Sequence, residues 1–309
     1  MASPAAENPQ ANPYVIRLDE KYYGLDELEV AFLKQQTGIQ DNEELKAHIL
    51  KIQAEALAVY PYNCIRRFTW TKLKVARLFP YQDCLALAKT RPGAIFLDIG
   101  CCFGNDIRKV VADGWPVHNA IASDILLAFW ELGHKLFRST QETFPARFIQ
   151  GDIFDAAHLD TVAPFTAQSP PTTARPVLSI LTSLNPLHGH LSAIHASAFF
   201  HLFNEEQQVH VARALAGLLS PEPGSMIFGQ HVGRLEKGLR GTETDKRRMF
   251  CHSADSWVDL WDGVVFEKGT VIVKATLSEI DPSTEDVTKG LEGLPIEVYH
   301  LLEWSVTRK

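Results

Sequence analysis

No stretch of the 309-residue chain is apolar for the roughly 20 residues that a membrane-spanning helix needs, so no membrane partner is expected. The opening residues, Met-Ala-Ser-Pro-Ala-Ala-Glu-Asn-Pro-Gln, have neither a basic head nor a hydrophobic stretch, and no signal peptide is predicted. Their proline and polar content reads as a disordered tail over residues 1–19. The five cysteines are an odd number without framework spacing, which predicts reduced thiols and a cytoplasmic protein. No Cys/His set has zinc-site spacing, so no metal is expected. A Cys-x-x-x-Cys-x-x-Cys cluster is also absent, so radical chemistry on an iron–sulfur centre is not indicated. There is no excess of positive charge. The net charge of −7 gives no support for nucleic acid as a partner, and the basic run Lys246-Arg247-Arg248 reads as a solvated loop.

What is present is the composition of a globular protein, 46% hydrophobic and 22% charged, with a length that suits one core plus an accessory segment. Residues 20–92 read as a helical cap. Asp26 and Glu29 form a cap pair before Val30-Ala31-Phe32-Leu33, and Gly38 can end that helix. Asp41 and Glu44 repeat the pattern, and Leu45, Ile49, Ile52, Ala56 and Val59 follow at helical spacing. Arg91-Pro92-Gly93 marks a boundary. Over residues 93–309 strands and helices alternate, which predicts an α/β domain with a mostly parallel sheet covered on both faces. Residues 160–177 read as a long loop before a short helix around residues 177–184. A strand is expected over 191–196, then a helix capped by Asn204 and Gln207, and a strand over 226–231. A helix over 253–264 follows, and 270–277 with 296–307 are expected to close the sheet as an antiparallel hairpin.

The most informative run lies at the start of this region. An apolar strand from Ala94 to Leu97 leads into Asp98, Gly100 and Gly104, where a helix can begin. Glycines there allow a tight turn and close approach to a ligand, and the freed amides of a helix start favour an anionic group. Cys102 stands where a dinucleotide fingerprint has its middle glycine, which counts against NAD or FAD. Asp98 suits S-adenosylmethionine, whose methionine end carries an ammonium and a carboxylate. Two more carboxylates occupy matching places. Residues 117–124 read as a second strand ending in Asp124, near the offset of about 20 residues at which an acid meets ribose hydroxyls. Taken alone, Asp124 reads as the N-cap of a helix over residues 125–137. Residues 146–154 read as a third strand with Asp152 at its exit. A carboxylate there can accept a hydrogen bond from an adenine amino group, with Ile153 and Phe154 as an apolar edge.

Asp98-Ile99-Gly100-Cys101-Cys102-Phe103-Gly104, Asp124 and Gly151-Asp152 together resemble the core of the class I S-adenosylmethionine-dependent methyltransferases. Tyr62-Asn63-Cys64-Ile65-Arg66-Arg67-Phe68, Ile194 to Phe203 and Gly224 to His231 narrow the resemblance to small fungal methyltransferases of secondary metabolism, including carboxyl O-methyltransferases of meroterpenoid pathways. It covers the chain from about Tyr22 onward. The resemblance implies a Rossmann-like fold with a seven-stranded sheet, and S-adenosyl-L-methionine as cofactor. It implies cofactor contacts from Asp98, Gly100, Cys102, Gly104, Asp124, Ile125, Asp152, Ile153, Phe154 and Ala196. The implied reaction is O-methylation of a small hydrophobic acid or hydroxy compound of terpenoid or polyketide origin, with methyl-ester formation expected first, and a homodimer is drawn from relatives.

Such a reaction mainly requires the nucleophile to be held in line and water to be excluded. A carboxylate needs no base, whereas a phenol would profit from a histidine. His195, His201 and His231 fall at the ends of the fourth and fifth strands and are the candidate catalytic residues. Phe199, Phe200, Trp257 and Trp261 are candidates for a hydrophobic substrate wall, against the alternative of core packing. Tyr22, Tyr23, Tyr62 and Arg66 are candidates to close over the cofactor or pair with an acidic substrate. Asp/Asn-Pro-Pro-Tyr/Phe, the mark of amino-methylating relatives, is absent after the fourth strand. Two other readings stay open: a non-catalytic cofactor-binding regulator or partner subunit, and an NAD-dependent oxidoreductase. Cys102 and the lack of a Tyr-x-x-x-Lys dyad count against the second.

Overall fold

In the computed structural model, residues 22–241, 248–280 and 299–309 are described. The expected tail over 1–19, Lys246 and Arg247 of the basic run, and residues 296–298 of the expected last strand lie outside them.

The N-terminal segment is helical: α1 (Glu27–Thr37), α2 (Asn42–Val59), α3 (Asn63–Arg66) and α4 (Tyr81–Thr90). Asp26 and Glu29 close a reciprocal capping box on α1, and Gly38 ends it in the left-handed conformation with its N–H on Lys34 O. Asp41 caps α2 by accepting from the N–H groups of Glu43 and Glu44. The fully buried Glu29 carboxylate also meets Lys72 and Arg77, each at 2.8 Å, and so ties α1 to the segment that leads into α4.

The following strands and helices are β1 (Phe96–Ile99), α5 (Asn105–Ala112), β2 (Ala120–Asp124), α6 (Leu127–Leu136), β3 (Arg147–Gln150), β4 (Ala193–His195), α7 (Glu205–Leu218) and β5 (Met226–Gly233). Then come β6 (Gly238–Arg240), β7 (Met249–Cys251), α8 (Ala254–Trp261), β8 (Val271–Ile280) and β9 (Tyr299–Arg308). Seven strands form one sheet in the order β3-β2-β1-β4-β5-β9-β8. The first five are parallel, and β9 inserts antiparallel between β5 and β8. This is the strand order of the class I methyltransferase fold. The chain crosses over between β1 and β4, so the carboxyl ends of those strands open the crevice in which such sheets bind ligands.

Alternation along the strands builds two cores. Leu97, Ile99, Ile121, Ile194 and Ile227 pack with α7 and α8 on one face. Phe96, Ala122, Ala193 and Phe228 pack with α4 and α5 on the other. A third apolar cluster joins the cap to Phe103 and to Phe129 of α6, so cap and cofactor loop share one core.

Two local expectations are corrected, and one element is new. The helix expected around 177–184 is a single 3-10 turn, Leu178–Ile180. Leu178, Leu181 and Leu184 recur every third residue, the period of a 3-10 turn, and all three are buried. The helix expected from residue 125 begins at Leu127 with Leu126 as its N-cap, so Asp124 is not its cap residue. The antiparallel β6–β7 pair was not expected.

Candidate functional site

The turn after β1 has Gly100 at φ 67° and Gly104 at φ 73°, both left-handed, and Gly104 is the N-cap of α5. Between them Cys102 holds φ 51° although it carries a Cβ, a conformation that persists only where its surroundings fix it. They do so here: the Cys102 N–H donates to Asp124 Oδ2 at 2.9 Å, and Asp124 Oδ1 accepts from the Leu126 N–H at 3.0 Å. Burial pushes the Asp124 carboxyl up, against these hydrogen bonds. Gly133 of α6 lets the helix reach the loop, since a Cβ there would lie 2.1 Å from Phe103 O.

Asp98 lies one level back in β1, in register with His195 of β4. Its Oδ1 meets His195 Nδ1 at 2.8 Å, and His195 Nε2 meets Ser197 Oγ at 2.7 Å. Both members of the pair are buried. Burial works against the imidazolium, but the Asp98 hydrogen bond and charge outweigh it and raise His195 above the ordinary histidine range. Burial pushes the Asp98 carboxyl up as well, against the His195 hydrogen bond. Asp98 Oδ2, also buried, has no partner among the described residues.

At the ends of β2 and β3 two apolar side chains stand in solvent, Ile125 at 51% exposure and Phe154 at 37%. The exposed Asp152 lies in the turn after β3, where its Oδ1 accepts from the Phe154 N–H at 3.0 Å. Ile153 is buried, and Ala196 is fixed by its N–H on Phe228 O.

The cap forms a wall of this cleft. Trp70 stacks on Phe103 with ring centroids 4.3 Å apart, Asn105 Nδ2 donates to Trp70 O, and the Val75 N–H donates to Asp106 Oδ1. The linker before α4 is thereby pinned to the first turn of α5. Lys74 on that linker donates from Nζ to Thr69 O at 3.0 Å, and its charge acts on Cys64, Cys102, His195 and His201. Tyr62 packs against Phe129; burial and then the Asp124 charge push its hydroxyl up to about 12. Of the other cap candidates, Tyr22 is buried in the cap core, Tyr23 packs edge-on against Phe68, and Arg66 ends α3. Lys74, Trp70 and Ser197 escaped the sequence reading; nothing in their local sequence marks them, because long-range docking places them.

The remaining candidates gather on the other face of the sheet. Phe199 covers the cofactor loop: a Cβ on Gly100 would fall 2.6 Å from its ring. Phe200 contacts His231, Trp257, Trp261 and Trp304. Trp257 and Trp261 are fully buried, and Trp261 stacks on Trp304 and Phe266, deeper in the core than an open substrate wall requires. Burial holds His201 down at about 4, and it holds His231 well below the histidine range. His252, just after β7, completes the group and is also lowered by burial to about 4.

The chemistry of this set is compatible with S-adenosylmethionine: an unpartnered Asp98 oxygen suits an ammonium, the Asp124 carboxylate suits a hydroxyl, and exposed Ile125 and Phe154 suit an aromatic ring. Among the described residues no group of acidic, His or Cys side chains is arranged to hold a metal ion, and no helix is long and apolar enough to cross a membrane.

Residues 19–71 match a family model described as the meroterpenoid methyltransferase N-terminal domain. Among curated proteins, the chain is 31% identical over 229 residues to asnovolin E/chermesin D methyltransferase nvfJ of Aspergillus novofumigatus, covering 74% of this chain and 73% of that one. It is 30% identical over 228 residues to O-methyltransferase phiE of Fungal sp., covering 74% and 68%. Among solved structures it is similar to the 1,6-didemethyltoxoflavin-N1-methyltransferase of Burkholderia thailandensis, with TM-score 0.46, 12% identity, and coverage of 88% of this chain and 92% of that one. The chain belongs to the family of fungal secondary-metabolite methyltransferases that includes nvfJ and phiE.

Proposed function

We propose that this methyltransferase uses S-adenosylmethionine to methylate a carboxylate oxygen of a small, largely apolar metabolite, giving a methyl ester. A terpenoid or polyketide-derived acid of a meroterpenoid pathway accords with the names of its relatives. The observation that carries the reading is the state of the histidines at the strand ends. His201, His231 and His252 are held neutral far below the range of an effective base at neutral pH. His195 is raised, but both its nitrogens are occupied, by Asp98 and Ser197. A nucleophile that is already ionised suits such a site, and a carboxylate is ionised at neutral pH.

Asp98, Asp124 and Asp152 would hold the ammonium, ribose and adenine of the cofactor, beside the loop from Gly100 to Gly104. When bound, the cofactor supplies a methyl group on a sulfonium, which an ionised oxygen can take directly. The chain's own task is to orient and to exclude water. Phe199 lies over the loop, Trp70 and Tyr62 close the cap side, and Lys74 gives the cleft a cation for an anionic ligand.

The test is incubation of the purified protein with methyl-deuterated S-adenosylmethionine and a panel of apolar ring acids and phenols. A deuteromethyl product from an acid, cleaved by mild alkali, is the expected result. An alkali-stable ether from a phenol, with no ester, would overturn the reading.

A further inference from the structure

His231 lies in β5 just beyond the level at which β4 ends. The Ala198 N–H bonds Gln230 O at 2.7 Å, and a Cβ on Gly229 would fall 2.2 Å from Ala196 O. This is the carboxyl end of the parallel strands, where ligands of such sheets bind. Two adjacent residues of the loop after β4 link the places: Phe199 lies over Gly100 of the cofactor loop, and the Phe200 ring sits 5.7 Å from His231. Ala198, just before them, holds φ 52° on a residue with a Cβ, a strained conformation of the kind that gathers at functional sites.

Trp304 in β9 donates its indole N–H to His231 Nδ1 at 3.0 Å. An indole can only donate, so Nδ1 must present its lone pair. A neutral His231 therefore carries its proton on Nε2. The lowered basicity of the ring, from burial and from the neighbouring His201 and His252, agrees with that neutral form. With Nδ1 occupied and Nε2 protonated, His231 has no lone pair with which to act as a base. It is a fixed donor, and this corrects its candidacy as a catalytic base. Its Nε2–H has no acceptor among the described residues although the residue is 2% exposed. A buried donor left unmet is costly. His252 Nε2, His201 Nδ1 and Trp257 Nε1 are buried and unpartnered in the same sense, and the rings of His231 and His252 both contact Trp257, at 4.6 and 5.2 Å. One apolar-walled cluster thus concentrates polar nitrogen atoms that lack partners.

We propose that His231 binds the substrate, donating its Nε2–H to a carboxylate oxygen of an apolar acid seated at the carboxyl ends of β4 and β5. This rests on the carboxyl-methylation reading above. Trp304 is the positioning residue that sets the tautomer.

The test uses full-length protein labelled with nitrogen-15 in histidine and saturated with S-adenosylhomocysteine. Long-range proton–nitrogen spectra should show His231 neutral and protonated on Nε2 throughout pH 6 to 8.5, a range set by the ordinary histidine pKa of about 6.5. Adamantane carboxylate, as a probe acid, should shift that resonance, and adamantane methanol should shift it less. His231→Phe should weaken binding of the acid by about 10- to 100-fold, the size of one hydrogen bond to a charged group. His231→Gln, which keeps a donor, should weaken it less, and neither variant should change affinity for S-adenosylhomocysteine. A proton on Nδ1, titration of His231 in that range, an Nε2 resonance unmoved by the acid, or wild-type acid affinity in His231→Phe would each overturn the proposal. If the acid shifts Nε2 as expected but no apolar acid is ever methylated, the reaction assignment fails and the binding role stands.

Discussion

Asp98 and His195 face each other across two parallel strands, and their side chains meet at 2.8 Å in a site closed to solvent. The pairing leaves one carboxylate oxygen without a hydrogen-bond partner among the described residues. In Asp98→Asn the amide oxygen can still accept from His195 Nδ1, but the negative charge is gone. Affinity for S-adenosylhomocysteine should fall by about 10- to 100-fold, as for losing a hydrogen bond between charged groups. Calorimetric titration of the folded variant reads this directly; unchanged affinity would remove Asp98 from the cofactor site.

The buried histidines fix how stability depends on pH. His201 and His252 fall to about 4 in the folded protein and His231 falls well below its ordinary value, whereas an unfolded histidine titrates near 6.5. The unfolded chain therefore binds more protons between those values, so stability is full above about pH 6.5 and is lost as pH falls toward 4. His195 acts in the opposite sense: its raised value stabilises the fold below about pH 6.5, and that contribution is lost as pH rises through its folded pKa. Urea unfolding at pH 7 and pH 5 should show a lower midpoint at the acid value. His201→Gln should narrow the difference; a midpoint independent of pH would contradict the assignment.

Glu29 is fully buried between Lys72 and Arg77 while also closing the cap of α1. Glu29→Gln removes the anion of Lys72 and one of the two carboxylates that meet Arg77, which keeps Asp26. The expected cost is about 1–2 kcal/mol, between that of an exposed and a buried pair, because both cations keep contact with water. Chemical unfolding followed by the cap tryptophan, Trp70, measures it.

Gly133→Ala would set a Cβ 2.1 Å from the backbone oxygen of Phe103. The helix or the cofactor loop must move, at a cost of roughly 1–3 kcal/mol as for other overpacked sites. Weaker binding of S-adenosylhomocysteine should accompany the loss of stability. A loss of stability with wild-type affinity would show that the helix yields and the loop does not.

Local signals carried much of the fold. Asp26 with Glu29 and Asn204 with Gln207 were legible because capping is a contact between residues three apart. The carboxylates at three strand ends were legible because each follows its own apolar run. The Asp98–His195 pair was not, since it depends on β1 lying beside β4 in one register. Same-face alternation in Leu97-Asp98-Ile99 and Ile194-His195-Ala196 was the only trace, and it needed the strand order to be read. Trp304 reaches His231 through the antiparallel pairing of β5 with β9, which a linear reading cannot place. Trp257 and Trp261 stayed open between a substrate wall and core packing, because depth of burial follows from tertiary packing.

On the proposed function, methyl transfer uses a nucleophile ionised before it binds, with no histidine taking its proton. The most direct measurement is kcat/KM for an accepted apolar acid from pH 6 to pH 9, well above the carboxylate pKa of about 4. Base-free ester formation predicts a profile without an ascending limb across that range. A rate that climbs tenfold per pH unit to a plateau near neutrality would mean that a group on the enzyme must first lose a proton, and would contradict it.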